Sequence, residues 1–186
     1  MTKTFAAFLI LSFAAGPQIA SAGPFPAAAV ASRGMNLHPR ITGAAIVIDG
    51  DTIEIDGRRI RLWGIDAPEI RQTCDAADGK PWPCGEVAAR ALDLMIGGKP
   101  VECIHRDDDI YGRVVARCGA VQNPDIAAAM VRAGLAVDYE RYSGGAYAEA
   151  EREARAARRG IWQGAFARPE QWRHDPKNRK PFGRRE

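Results

Sequence analysis

Apolar and polar positions alternate with period two through residues 46–62, with Ile53 and Ile55 before Asp56-Gly57 and Ile60 and Leu62 after it. Alternation at this period marks strands with one buried face. An Asp-Gly pair between two such runs is the strongest short-range sign of a hairpin closed by a two-residue type I′ turn. That turn sets Ile53 opposite Ile60 on one face and Thr52 opposite Arg61 on the other. A first strand is predicted over 43–49, and two more over 101–106 and 113–118, joined by residues 107–112. The period changes to helical in 86–96, where Val87, Ala91, Leu94 and Met95 form one stripe before Gly97-Gly98. A second helix is predicted over 126–133, with Asn123 as N-cap, Pro124 at its first position and Gly134 as its stop. A third covers 146–159, its alternating Glu and Arg forming a solvated face, with Ile161 and Trp162 after Gly160 to pack back on the body. Residues 71–85 are polar and rich in Gly, Pro and Asp, and read as a loop.

Five strands, one helix after the third and two at the end predict a mainly β fold with α additions (α+β). Short antiparallel strands lose their exposed edges best by closing on themselves. The expected architecture is therefore a five-stranded oligonucleotide-binding (OB-fold) barrel with three helices over residues 42–172.

The ends of the chain have a different character. Lys3, the apolar run Phe5–Ala15 and Ala20-Ser21-Ala22 make residues 1–22 a secretory signal pattern, so the protein is expected to be exported, periplasmic or secreted. Residues 23–41 lack periodicity and read as a linker. Residues 173–186 hold six Lys or Arg against two acids and read as a basic, disordered tail. The whole chain carries +3, so removing this +4 leaves the rest at −1, and bulk charge alone does not announce a nucleic-acid binder.

Export makes Cys74, Cys84, Cys103 and Cys118 disulfide candidates. They allow three pairings, of which neighbour with neighbour is favoured, and no spacing gives a CxxC motif. If strands 101–106 and 113–118 pair about a centre between Ile110 and Tyr111, Cys103 stands opposite Cys118. His38, His105 and His174 are scattered, and Ser143 is the only Ser in 42–172, which leaves no parts for a Ser-His-Asp triad.

Asp51, Asp66 and Glu69 lie at the ends of the paired strands with Arg61 between them in sequence, and Pro68 stiffens the corner from Asp66 to Glu69. Asp51 and Asp66 are hard oxygen donors without a companion His or Cys, which favours Ca²⁺ or Mg²⁺ over zinc or copper. So sparse a set needs water and a substrate phosphate to complete the shell. Arg61 and Arg113 are the candidate anion clamp, since a guanidinium fork matches two phosphate oxygens, and Gly112 allows a turn that aims Arg113.

Ile48-Asp-Gly-Asp-Thr52, Arg61-Leu-Trp-Gly-Ile-Asp-Ala-Pro-Glu69, Tyr111-Gly-Arg113 and Gly134-Leu-Ala136 together resemble the thermonuclease (staphylococcal nuclease-like) family over roughly residues 43–163. The resemblance implies a Ca²⁺-dependent nuclease that hydrolyses phosphodiester bonds of DNA and RNA, leaves 3′-phosphate ends and acts as a monomer. It implies that Asp51, Asp66 and the main-chain carbonyl of Ala67 ligate Ca²⁺ and that Glu69 is the general base. Arg61 and Arg113 are implied to hold the attacked phosphate, and Tyr111 to help seat the nucleotide, with Tyr139 or Tyr142 stacking on a base. Ala67 stands where the family prototype has Thr, and Ile110 where it has Lys.

Overall fold

The computed structural model describes residues 39–178. The signal pattern, most of the linker and residues 179–186 lie outside the described residues. The strands are β1 (Arg40–Gly43), β2 (Ala45–Val47), β3 (Thr52–Ile55), β4 (Arg58–Leu62), β5 (Ile65–Asp66), β6 (Cys74–Asp75), β7 (Pro81–Trp82), β8 (Val101–Asp108), β9 (Val114–Gly119) and β10 (Val137–Asp138). The helices are α1 (Cys84–Ile96), α2 (Ile126–Arg132), α3 (Glu140–Ser143), α4 (Ala148–Ala156) and α5 (Pro169–His174), with a 3₁₀ turn at Gly160–Gln163.

The single strand expected over 43–49 is in fact two. β1 pairs with β8 while β2, one residue further on, pairs with β3. The main sheet has six strands in the order β1-β8-β9-β4-β3-β2, so chain neighbours sit at its opposite edges. That arrangement curls the sheet into a nearly closed barrel with β4 and β9 in parallel contact, the OB-fold solution to the edge problem. The hairpin forms in the predicted register, with Thr52 opposite Arg61 and Ile53 opposite Ile60. Asp56 and Gly57 have φ of 50° and 74°, the positive pair that a type I′ turn requires.

Alternation along these strands fills the interior. Ile53, Ile55, Ile60, Leu62 and Ile65 are buried against Leu92 of α1 and Met130 of α2. Cys103 stands opposite Cys118 and is bonded to it, with Cα atoms 4.0 Å apart. The β8–β9 register holds to His105–Ala116 and then shifts by one at a bulge before Asp107. Cys74 and Cys84 form the second disulfide, closing a loop that contains the small β6–β7 ladder.

Three local expectations change. Asp125 rather than Asn123 caps α2, its carboxylate accepting the Ala128 N–H at 3.0 Å. The Asn123 amide is used elsewhere, donating to the Met95 carbonyl at 2.8 Å near the open end of α1. The third predicted helix is shortened to α4, whose N-cap is Tyr147 and whose C-cap is Ala157, with Arg158 at a φ of 50° breaking the helix before Gly160. Finally, α5 runs across the boundary drawn between 172 and 173, so Arg173 belongs to a helix docked on the body.

Tyr147, at the start of α4, is 3% exposed and reaches the Asp125 carboxylate at 3.4 Å. Burial, and then the Asp125 charge, push its hydroxyl up to about 12. A raised folded-state value means stability that is intact below the ordinary tyrosine range near 10 and lost as pH rises through 12. Tyr147 is expected to ionise last of the described tyrosines in a spectrophotometric titration, with unfolding setting in over the same interval. Titration of all tyrosines near pH 10 with the fold intact would contradict this.

Candidate active site

Each acid is placed by a different local device. Asp51 ends the tight turn after β2, where its own N–H donates to Asp49 Oδ1 at 2.9 Å and its carbonyl accepts the Leu62 N–H at 2.8 Å. Gly50 lets this turn sit close to the body, since a Cβ there would meet the Ala67 and Ala88 Cβ atoms at 2.7 and 2.8 Å. Asp66 is fixed by antiparallel pairing of β5 with β10, opposite Val137. Glu69 follows Pro68, and its carbonyl lies so close to Gly85 in the first turn of α1 that a Cβ there would overlap it at 1.7 Å. The Glu69 N–H donates to Oε1 of Gln72, which is fully buried.

Arg61 joins the two aspartates. From the middle of β4 its Nη1 donates to Asp51 Oδ1 at 3.0 Å and its Nη2 to Asp66 Oδ1 at 2.8 Å. Asp51 also accepts from the Thr52 hydroxyl and the Ala67 N–H, each at 3.0 Å. Both carboxylates are almost wholly shielded, at 3% and 1% exposure. Burial pushes the Asp51 carboxyl above the ordinary aspartate range, and the Arg61 charge pulls against that rise. Burial likewise works against the charge of Arg61, but Asp51 and Asp66 outweigh it and hold its pKa above the usual guanidinium value.

A second guanidinium reaches these acids. Arg173 of α5 grips Asp66 with both nitrogens, at 2.9 Å to Oδ1 and 3.0 Å to Oδ2, and touches Glu69 Oε1 at 2.8 Å. By sequence Arg173 reads as part of the basic tail, and its place among these acids is not visible there. Pro169, fit for a helix start, and the bulky Trp172 were the only signals that the chain remained ordered this far.

Arg113 lines the same groove, of about 1780 Å³, as Asp51, Arg61 and Glu69. It does not touch the acids. Its Nε donates to Asp109 Oδ2 at 2.7 Å and its N–H to Oδ1 of the same carboxylate at 2.9 Å. Asp109 is held below the usual range, because bonds from Arg113 and Tyr111 outweigh its burial. Tyr111 stands 78% exposed at the tip of the β8–β9 connection, with Arg113 5.6 Å from its ring centre. Tyr139 lines the groove as well, packed on Tyr142 at 4.9 Å, with its hydroxyl 3.3 Å from Glu170 of α5. Asp51, Arg61, Asp66, Ala67 and Glu69 are thus together, and Tyr111, Arg113 and Tyr139 line the groove beside them.

The donor set suits a hard divalent cation. A carboxylate oxygen can accept two hydrogen bonds, and Asp51 Oδ2 and Asp66 Oδ2 each accept one among the described residues. No group of three or more His, Cys, Asp or Glu is disposed to hold a metal among the described residues. An ion held here would have two carboxylates from the protein, with main-chain, water or phosphate oxygens needed to complete the shell.

The site is thus a nearly closed OB-fold barrel with two buried aspartates joined by one arginine beside a groove. The family profile of the staphylococcal nuclease homologues matches residues 59–164, and the chain belongs to that family. It is 34% identical over 145 residues to an uncharacterized endonuclease of Escherichia coli, covering 75% of this chain and 86% of that one. It is 40% identical over 131 residues to the succinoglycan biosynthesis protein ExoI of Rhizobium meliloti, covering 70% and 67%. A probable staphylococcal-like nuclease of rice, CAN2, is 38% identical over 122 residues, covering 64% of this chain and 30% of the plant protein. Membership in this family assigns the protein to the nucleases, with nucleic acid as its substrate class.

Proposed function

We propose that this protein is an exported, Ca²⁺-dependent endonuclease that hydrolyses both DNA and RNA. The observation that carries the reading is the Arg61 fork, which ties two buried aspartates into one unit beside a wide groove that Asp51, Arg61 and Glu69 line. Asp51, Asp66 and the Ala67 carbonyl are the residues that would hold the cation. When bound, it supplies a Lewis acid for phosphate oxygens and a position for water. Glu69 takes the proton from that water. Arg61 is a donor fixed in advance toward charge that grows on the phosphate, and such fixed donors need no rearrangement during reaction. Arg113, which lines the same groove, is the second guanidinium for the attacked phosphate, and Tyr111 and Tyr139 fit contacts to the nucleotide. The signal-like N-terminus and two disulfides support export.

The test uses purified protein on single- and double-stranded DNA and RNA, with Ca²⁺, Mg²⁺ or EDTA. Cleavage of both polymers in Ca²⁺ and none in EDTA is the expected result. Binding without cleavage in Ca²⁺ would point instead to a non-catalytic OB module, and cleavage that survives EDTA would remove the cation from the account.

A further inference from the structure

Asp51 and Glu69 line the groove with Asp66 buried beside them, and the guanidinium groups touching these three carboxylates are Arg61 and Arg173. Arg113, the other arginine singled out by sequence, is already neutralised by Asp109 four residues before it. Arg173 is therefore the cation that faces Glu69. It is also the only group among the described residues that bonds to both Asp66 and Glu69, so its fork fixes the distance and angle between them. Burial opposes its charge, and the bonds to Asp66 and Glu69 overcome that opposition and raise its pKa.

The helix that carries Arg173 is not loosely attached. The segment leading into it is bound to the disulfide-closed loop through the Asp75 N–H to the Ala165 carbonyl at 2.8 Å. Gly164 sits against the same loop, where a Cβ would meet the Asp75 carbonyl at 2.2 Å. The buried Gln72 side chain accepts from the Glu69 N–H and donates to the Ala167 carbonyl at 2.7 Å, so one residue ties Glu69 and the segment before α5 together. Glu170 adds a bond to Tyr139. The position of Arg173 is set by these contacts rather than by its own ion pairs alone.

We propose that Arg173 is a positioning residue of the hydrolytic site, holding the Glu69 carboxylate beside Asp66 so that it meets the attacking water in one orientation. The inference rests on the reading of Glu69 as general base. A partly exposed carboxylate that is free to rotate spends much of its time turned away. One tethered at Oε1 keeps its other oxygen available.

The test is a double-mutant cycle on the full chain, with kcat and KM measured at saturating Ca²⁺. Loss of a group that orients a site residue typically costs about 10–100-fold. Arg173→Ala is expected to lower kcat by that factor with KM changed less than about threefold, and Arg173→Lys to recover part of the loss, since it restores charge without the fork. In a Glu69→Gln background the Arg173→Ala effect should vanish, because a residue acting through Glu69 has nothing left to orient. Calorimetric titration of Arg173→Ala with Ca²⁺ alone should show affinity equal to or tighter than that of the parent, as a cation has left Asp66. Multiplying effects in the double variant, or an unchanged kcat in Arg173→Ala and Arg173→Lys, overturns the proposal while leaving the nuclease reading in place. A rate loss matched by weakened Ca²⁺ binding overturns it too, moving Arg173 into the metal scaffold. A parent protein inactive in every divalent ion defeats the nuclease reading itself.

Discussion

Glu69→Gln is expected to slow phosphodiester hydrolysis by about 10²–10⁴-fold, the range over which a positioned general base contributes. The exchange is close to isosteric and keeps an acceptor oxygen for Arg173, which now donates to Glu69 Oε1 at 2.8 Å. It leaves the Glu69 N–H on Gln72 and the carbonyl beneath Gly85, so the backbone there should not move. What disappears is the capacity to accept a proton. Calcium affinity should stay near the parent value, because Asp51 and Asp66 are untouched. The pairing of a large kcat loss with an unchanged calorimetric titration is the signature. A variant cutting at near-parent rate would take Glu69 out of the chemistry.

Arg61→Met should destabilise the folded protein by about 3–5 kcal/mol in EDTA, the usual result of removing one partner from a buried ion pair. Asp66 keeps Arg173, but Asp51 is 3% exposed and loses its one guanidinium. The Thr52 hydroxyl and Ala67 N–H remain to it, and two neutral donors do not replace a charge. Calcium should return part of the loss, since a ligand bound only by the folded state at a hundred times its Kd adds about 2.7 kcal/mol. Thermal unfolding of parent and variant, with and without Ca²⁺, reads both numbers. Equal stability in EDTA would mean that Asp51 is not carrying a buried charge, and no gain with Ca²⁺ would remove Asp51 and Asp66 from the ion's shell.

How much of this was legible depended on the distance over which each feature is encoded. The β3–β4 hairpin was readable because Asp56-Gly57 and the alternating isoleucines settle it within a dozen residues. The Cys103–Cys118 bond followed from pairing two adjacent strands. The break between β1 and β2 was not readable, because it depends on which distant strand each half meets, β8 for one and β3 for the other. Asp51, Arg61, Asp66 and Glu69 were visible as a group since they lie on one hairpin and the corner after it. The capture of Arg113 by Asp109 was visible in principle, as a four-residue acid-to-base spacing, but a turn has no fixed period by which to read it. Arg173 had no such signal. α5 spans six residues, too short for a periodic pattern, and its last two residues fall in the most basic stretch of the chain.

The union of Asp66 with Arg173 spans 107 positions of the chain. The hairpin bearing Asp51 and Arg61 closes over a few residues and can form as soon as those residues exist, whereas contacts across so long a separation must wait for the intervening chain to be ordered. Arg173 thus reaches Asp66 and Glu69 only when both ends of that span are in place, and a chain clipped ahead of α5 would lack the tether on Glu69.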